Sequence, residues 1–258
     1  MSGLTSTLLP EGFRHEALGE VQSTNLTCLE RAREGDAGNL WITATRQSTG
    51  KGSRGRGWTS EEGNLYASLL LREPGPAGML HTLTFVASLA IRDCLLALAG
   101  AGLLQVALKW PNDVLVNGGK IAGILLESHV LEGSRYVIIG IGINAAHHPP
   151  QTLYPATSLK DSGIGVSLEE LLQHLARAVA LRLRQWDGGR GLAEIRSDWI
   201  AAAKGIGEMI EIRMPASGGG GEKVLAGRFE GIDENGLLIL GGAGGRREHI
   251  SVADIFFA

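Results

Sequence analysis

Cysteine is scarce in this chain. The only two, Cys28 and Cys94, stand far apart and outside any metal-ligand spacing, which excludes a disulfide-stapled scaffold and fits a reducing compartment. Both are expected as small core residues, and no histidine partner can be assigned that would make Cys94 a nucleophile. Excess charge of one sign is lacking too. Lys plus Arg number 24 against 27 Asp plus Glu, a net of −3, which argues against a nucleic-acid binder held by global charge. Long uninterrupted apolar runs are missing: the most apolar one is broken by Arg92 and Asp93 short of about 18 residues. Met1 to Gly12 has no basic segment leading into an apolar one, so no export signal is expected, and the reading is a cytoplasmic chain without a membrane partner. His147 and His148, before Pro149 and Pro150, have no further ligands at suitable spacing and are expected in a loop, which leaves any metal site unassigned.

What is present is ordinary globular material: 258 residues, 44% hydrophobic and 20% charged. At about 150 residues per domain this length suggests one large unit, or a large and a small one. Glycine departs from the ordinary. There are 38, about 15% of the chain, so many backbone positions are expected in conformations closed to other residues.

Ser23 is a plausible cap for a short helix through Ala32, followed by a strand at Leu40–Ala44. Gln47 to Asn64 is a Gly, Ser, Thr and Arg run without periodicity, and beyond it Leu65–Leu71 reads as a strand. A loop that long between two strands is expected to be functional. Leu80 to Ala99 has helical apolar spacing; Val106–Leu108 is a strand; Val114–Val116 and Ile121–Glu127 flank Asn117-Gly118-Gly119 as a hairpin. Tyr136–Ile143 is a buried strand, and Leu168–Arg184 and Leu192–Ala203 are helices. After Gly205 come short strands with glycine-rich turns: Met209–Met214, Val224–Ile232, Gly236–Leu240 and Ile250–Phe257. The prediction is an α+β fold, with a mixed, mostly antiparallel sheet and helices over residues 1–205 and a small SH3-like β-barrel over 206–258.

Three clusters carry candidate chemistry. Gly50-Lys51-Gly52-Ser53-Arg54-Gly55 matches G-x-G-x-x-G, but no helix follows to meet a pyrophosphate, so a dinucleotide fold is rejected; the Walker A spacing fails as well. What remains is Lys51, Arg54 and Arg56 among close glycines, able to converge on a phosphate or carboxylate, or else to form a solvated turn. Lys109-Trp110-Pro111-Asn112-Asp113 places a lysine at the end of an apolar strand, poorly solvated unless an anion meets it, or else snorkelling to water. Gly140-Ile141-Gly142 before Asn144 interrupts a buried strand twice, which marks close approach of a ligand or simple crowding in the sheet.

Taken in order, Ser23-Thr24-Asn25, Gln47 with Gly50 to Trp58, Lys109 to Asp113, Lys120-Ile121-Ala122-Gly123-Ile124-Leu125-Leu126-Glu127 and Gly140 to Asn144 resemble the biotin protein ligases. The C-terminal barrel is similar to that family's accessory domain. The resemblance implies the fold shared with class II aminoacyl-tRNA synthetases and activation of biotin with ATP and Mg²⁺ to biotinyl-5′-AMP. Transfer to one lysine of a biotin carboxyl carrier protein, such as that of acetyl-CoA carboxylase, would follow. By this resemblance Lys109 bridges the biotin carboxylate and the α-phosphate, with Arg56 the second catalytic cation. Ser23, Thr24, Asn25, Gln47, Gly50, Lys51, Gly52, Gly140 and Gly142 contact biotin. Ser53, Arg54, Arg56, Trp58, Asn112, Lys120 and Asn144 serve the nucleotide, with Asn144 at the adenine.

Two places depart from the family loop G-R-G-R-x-G-R-x-W: Lys51 and Ser53 stand where arginines are usual. Lysine lacks the bidentate fork and serine the charge, so looser retention of the adenylate is expected. Only 22 residues precede Ser23, too few for the helix-turn-helix of the repressor-type members, so no DNA partner is expected. Family members often dimerise by sheet edges, and nothing here fixes which edge would form a homodimer. The competing readings are a lipoate or octanoate ligase or transferase on the same general fold, and a non-catalytic biotin-binding regulator.

Overall fold

The structure is a computed structural model that describes residues 9–100, 104–150, 152, 154–215, 222–251 and 253–257. In chain order the first part runs β1 (Arg14–Val21), α1 (Thr24–Arg33), β2 (Leu40–Gln47), β3 (Leu65–Arg72), α2 (Leu83–Ala99), β4 (Val106–Lys109), β5 (Asp113–Val116), β6 (Gly119–Leu131), β7 (Ser134–Ile143), α3 (Leu168–Trp186) and α4 (Leu192–Ala202). Seven strands form one sheet in the order β1-β2-β3-β7-β6-β5-β4. Only β1 and β2 pair parallel; every other neighbour is antiparallel, which makes the sheet mixed and mostly antiparallel as the sequence predicts.

Alternation along the strands sorts side chains to two faces. On β7, Val137, Ile139, Ile141 and Ile143 join the large core beneath α2, α3 and α4, while Tyr136 and Ile138 join a small one beneath α1 with Cys28, Ala32, Leu40, Ile42 and Leu70. Gly140 and Gly142 continue the α1 face, where α1 is too short to cover them. That uncovered end of the sheet becomes the site.

The hairpin read from Asn117-Gly118 forms as predicted: both residues have positive φ, 49° and 84°, and Val116 pairs with Gly119 across the two-residue turn. Ser167 caps α3 by accepting from the Glu170 amide at 3.2 Å. Three elements differ from the sequence reading. β1 was not anticipated, because its sequence RHEALGEV lies half-exposed at the sheet edge and shows no buried stripe. The helix expected from Leu80 opens as a 3₁₀ turn, Ala77–Thr82, and turns α-helical at Leu83. The run Ile250–Phe257 divides into two strands.

The segment Ala77–Ala99 is, by length and composition, apolar enough to cross a membrane despite Arg92 and Asp93. Here it is a core helix, with Leu83, Val86, Leu89, Ala90, Ile91 and Leu95 buried.

Beyond α4 follow β8 (Met209–Pro215), β9 (Glu222–Ile232), β10 (Leu238–Gly241), β11 (Arg247–Ile250) and β12 (Asp254–Phe257). They form a separate antiparallel sheet in the order β11-β10-β9-β8-β12. Its apolar face, including Ile212, Phe229, Leu238 and Ile255, merges with the large core. Arg196 Nε donates to the Ile232 carbonyl at 2.7 Å, and Trp110 Nε1 to the Gly236 carbonyl at 3.3 Å, so the smaller sheet is docked against both α4 and the Lys109 turn.

Candidate active site

Strand register builds the floor. Residues directly opposite in antiparallel strands share a face, and pairing aligns Lys109 with Asp113, Asp113 with Gly123, Gly123 with Gly142 and Gly142 with Tyr66. One transverse row therefore runs from a lysine, across an aspartate and two residues without side chains, to a tyrosine. The next row pairs Leu125 with Gly140 and Gly140 with Ser68. Glycines side by side leave a trough in the sheet.

A cavity of about 370 Å³ occupies this trough, within the range of small-molecule sites. It gathers Ser23, Thr24, Asn25, Gln47, Lys51, Gly52, Ser53, Arg56, Trp58, Lys109, Asn112, Lys120, Gly140, Gly142 and Asn144, all named from the sequence. Gly50 does not line it. That residue backs the wall instead, where a Cβ would stand 2.6 Å from Ser60 Oγ and 2.7 Å from the Trp58 carbonyl. The side chain of Arg54 lies outside the described residues.

One end of the cavity is the N-terminus of α1. Ser23 is the N-cap residue, as expected, but its hydroxyl makes no capping bond; its carbonyl accepts from the Thr27 amide at 3.0 Å. Gln47 Oε1 accepts from both the backbone N–H of Thr24, at 2.9 Å, and its hydroxyl, at 3.1 Å, and Gln47 Nε2 donates to Ser60 Oγ at 3.0 Å. This end is a set of fixed polar groups suited to a small neutral ring with its own donors and acceptors.

Lys109 forms the opposite wall. It is only 6% exposed, and its Nζ stands 3.1 Å from the centroid of the Tyr154 ring, so aromatic electron density helps to compensate a cation that water barely reaches. Beside it Lys120 Nζ pairs with Asp113 at 2.6 Å. Asn112 donates to the Ile124 carbonyl at 2.7 Å, which fastens the turn after Lys109 to β6. Asn144 is buried, and its amide donates to the carbonyls of Thr157, at 3.0 Å, and Lys120, at 3.4 Å.

The glycine loop folds over the trough as a small hairpin. Lys51 bridges Gly57, Trp58 N donates to the Gly50 carbonyl at 2.9 Å, and a 3₁₀ turn at Ser53–Gly55 forms the tip. Arg56 Nη2 reaches Ser53 Oγ at 3.1 Å. At the end of this hairpin the Trp58 indole lies on the glycine row: a Cβ would stand 2.6 Å from its ring at Gly142 and 2.9 Å at Gly123. The bare faces of Gly142 and Gly140, which the resemblance assigned to the approach of a biotin ring, are thus occupied by Trp58 and by the Asn25 amide respectively. Trp58 Nε1 is buried against Gly142 with no hydrogen-bond partner among the described residues.

Sequence reasoning missed several contributors. Tyr154 and Thr152 come from the stretch after β7, Ile255 from the smaller sheet, and Ser68 and Glu127 from behind the cavity wall. Glu127 closes the K-x-A-G-I-L-L-E motif, so its place was on view without its partner. Among the described residues, no three His, Cys, Asp or Glu side chains gather as a cation cage. His147 and His148 sit in a loop, bonded to the Glu62 carbonyl at 2.7 Å and 3.4 Å from Asp161 respectively.

Comparison with known proteins places this geometry. Residues 18–144 match the model of the biotin/lipoate A/B protein ligase family, and 205–258 that of the biotin protein ligase C-terminal domain. A biotin–[acetyl-CoA-carboxylase] ligase of Paracoccus denitrificans is 42% identical over 247 residues, covering 93% of this chain and 99% of that one. Among solved structures, the biotin protein ligase of Aquifex aeolicus in complex with biotin and ATP superposes with a TM-score of 0.77 at 25% identity, covering 95% and 99% of the two chains. That of Leishmania major in complex with biotinyl-5-AMP gives 0.63 at 27% identity over 94% and 100%. With motif order, sheet register and similarity over nearly its whole length in agreement, the chain belongs to the biotin protein ligase family.

Proposed function

We propose that this chain activates biotin with MgATP to biotinyl-5′-AMP and then passes the biotinyl group to one lysine of a biotin carboxyl carrier protein of acetyl-CoA carboxylase. The observation that carries this reading is the buried Lys109 ammonium on a trough whose far end is a set of fixed polar groups.

In the first step a biotin carboxylate oxygen attacks the α-phosphorus and pyrophosphate leaves, so two anions must be brought together. A fixed cation in a poorly hydrated wall stabilises the charge on the five-coordinate phosphorus without reorganisation. Lys109 fills that role, and Arg56 and Lys51 on the hairpin add positive charge over the phosphates. In the second step the carrier's lysine amine attacks the acyl carbon and AMP leaves, again with negative charge near Lys109. The ureido ring of biotin lies against Ser23, Thr24, Asn25 and Gln47, with Gly50 and Gly52 shaping the flap, and the nucleotide lies along Trp58, Asn112, Lys120 and Asn144. Mg²⁺ enters with the triphosphate, as part of the substrate. Residues 1–205 carry both sites and 206–258 close one wall through Ile255, in a cytoplasmic enzyme.

An octanoyl transferase would need a reactive thiol. Cys28 and Cys94 are both buried, and burial pushes the Cys94 thiol up to about 12 and that of Cys28 upward as well, which suppresses the nucleophilic thiolate. Biotin-dependent exchange of labelled pyrophosphate into ATP tests the reading. Lys109→Ala is expected to slow exchange by about 10² to 10³, the usual loss for one such contact. Exchange in the native chain driven by lipoate and not biotin, or undiminished exchange in Lys109→Ala, would overturn it.

A further inference from the structure

Behind the polar end of the cavity, Ser68 is fully buried on β3 and touches two residues of α1. Its Oγ lies 2.7 Å from Thr24 Oγ1 and 2.6 Å from Asn25 Oδ1. A hydroxyl has one proton, so Ser68 donates along one of these contacts and accepts along the other. Asn25 decides which. Its Nδ2 stands 2.6 Å from Glu127 Oε2, and only the nitrogen end of an amide can donate to a carboxylate. The oxygen end is therefore turned to Ser68 and takes its proton. Packing keeps it there, since the Asn25 amide fills the space where Gly140 has no side chain.

Ser68 then presents only lone pairs to Thr24. The Thr24 proton is therefore drawn into the wall toward Ser68 Oγ, with Gln47 Oε1, 3.1 Å away, a second acceptor on that side. Toward the cavity the Thr24 oxygen is left as an acceptor. Gln47 cannot turn to offer Thr24 a donor, because its oxygen already accepts the Thr24 backbone N–H and its nitrogen donates to Ser60.

We propose that Glu127, acting through Asn25 and Ser68, fixes the hydrogen-bond polarity of Thr24 as an acceptor and so selects ligands that present an N–H at this end of the cavity. This rests on the biotin reading above: a ureido ring carries N–H groups, whereas a dithiolane or hydrocarbon end carries none. Glu127 is a positioning residue, and its charge-assisted bond is what holds the amide in one orientation.

The test compares biotin with two isosteric analogues, each with one ureido N–H replaced by a ring oxygen, in the pyrophosphate exchange assay. The native chain should prefer biotin over the analogue whose oxygen meets Thr24. In Glu127→Ala that preference should fall about tenfold, the size of one buried hydrogen bond, because a Ser68 free to turn lets Thr24, still able to give its proton to Gln47, also donate into the cavity. The change should lie in the KM for the analogue and not in that for ATP. Glu127→Gln should largely restore it, because a carbonyl oxygen accepts the same Asn25 N–H. Ser68→Ala, which removes one buried oxygen, should reproduce the loss and keeps the test open if the first variant folds poorly. A preference unchanged in both alanine variants would overturn the polarity assignment while leaving biotin activation standing. A native chain that takes no biotin would instead bring down the functional reading, and this one with it.

Discussion

At the scale of single residues, the three trough glycines are as constrained as any side chain in the site. An added Cβ at Gly142 would meet the Trp58 indole at 2.6 Å, and Trp58 can yield only by leaving the floor of the cavity. Gly142→Ala should therefore cost about 1 to 3 kcal/mol, as overpacking does, and shift tryptophan emission to longer wavelength as the ring meets water. A melting temperature and spectrum equal to the native ones would show that the indole is not seated there in solution. Residues of this kind were legible because their types were odd for their setting: a lysine ending an apolar strand, glycines inside a buried one. Ser68 and Tyr154 were not. A serine in a strand and a tyrosine among prolines are unremarkable until register and chain reversal bring them to Asn25 and Lys109.

At the scale of elements, the helices and central strands followed from periodicity, and the missed β1 shows what periodicity cannot carry. Its inward residues are few, and its pairing with β2 is parallel, so no turn beside it announces the partner. Charge helps to hold it: Arg31 of α1 makes two hydrogen bonds to Glu16, at 2.6 and 3.0 Å, on the otherwise polar edge strand. The glycine hairpin was also legible only in part, since its composition marked a binding loop while its short pairing left no alternation to read. Its tip is closed by Arg56 on Ser53. Ser53→Arg would replace that tie with a second guanidinium over the phosphates, able to hold an oxyanion in a bidentate fork. The expected result is a several-fold longer half-life of bound biotinyl-5′-AMP, followed by its release into solution after a single loading. Equal half-lives in the native and variant chains would remove the role given to the serine.

At the scale of the whole molecule, a change of texture after Gly205 marked a second unit in the sequence, but not how tightly it is joined. The two sheets share one apolar core, in which Phe229, Ile232 and Leu238 of the smaller sheet stand with Phe85 and Trp199 of the larger part. Polar contacts run the same way: His81 Nε2 lies 2.6 Å from the Asn235 carbonyl, and Arg196 Nε binds the Ile232 carbonyl. Because Ile255 also lines the cavity, separating the sheets would open the site itself. Melting one part should therefore expose the core of the other, and scanning calorimetry of the full chain should show a single transition whose calorimetric and van't Hoff enthalpies agree. Saturating biotin at about 100 times its Kd should raise that transition as a whole, by about 2.7 kcal/mol of added stability, with no earlier step left behind. If instead a first transition stays fixed while biotin moves only a second, the smaller sheet unfolds independently and its place in the cavity wall is dispensable for binding.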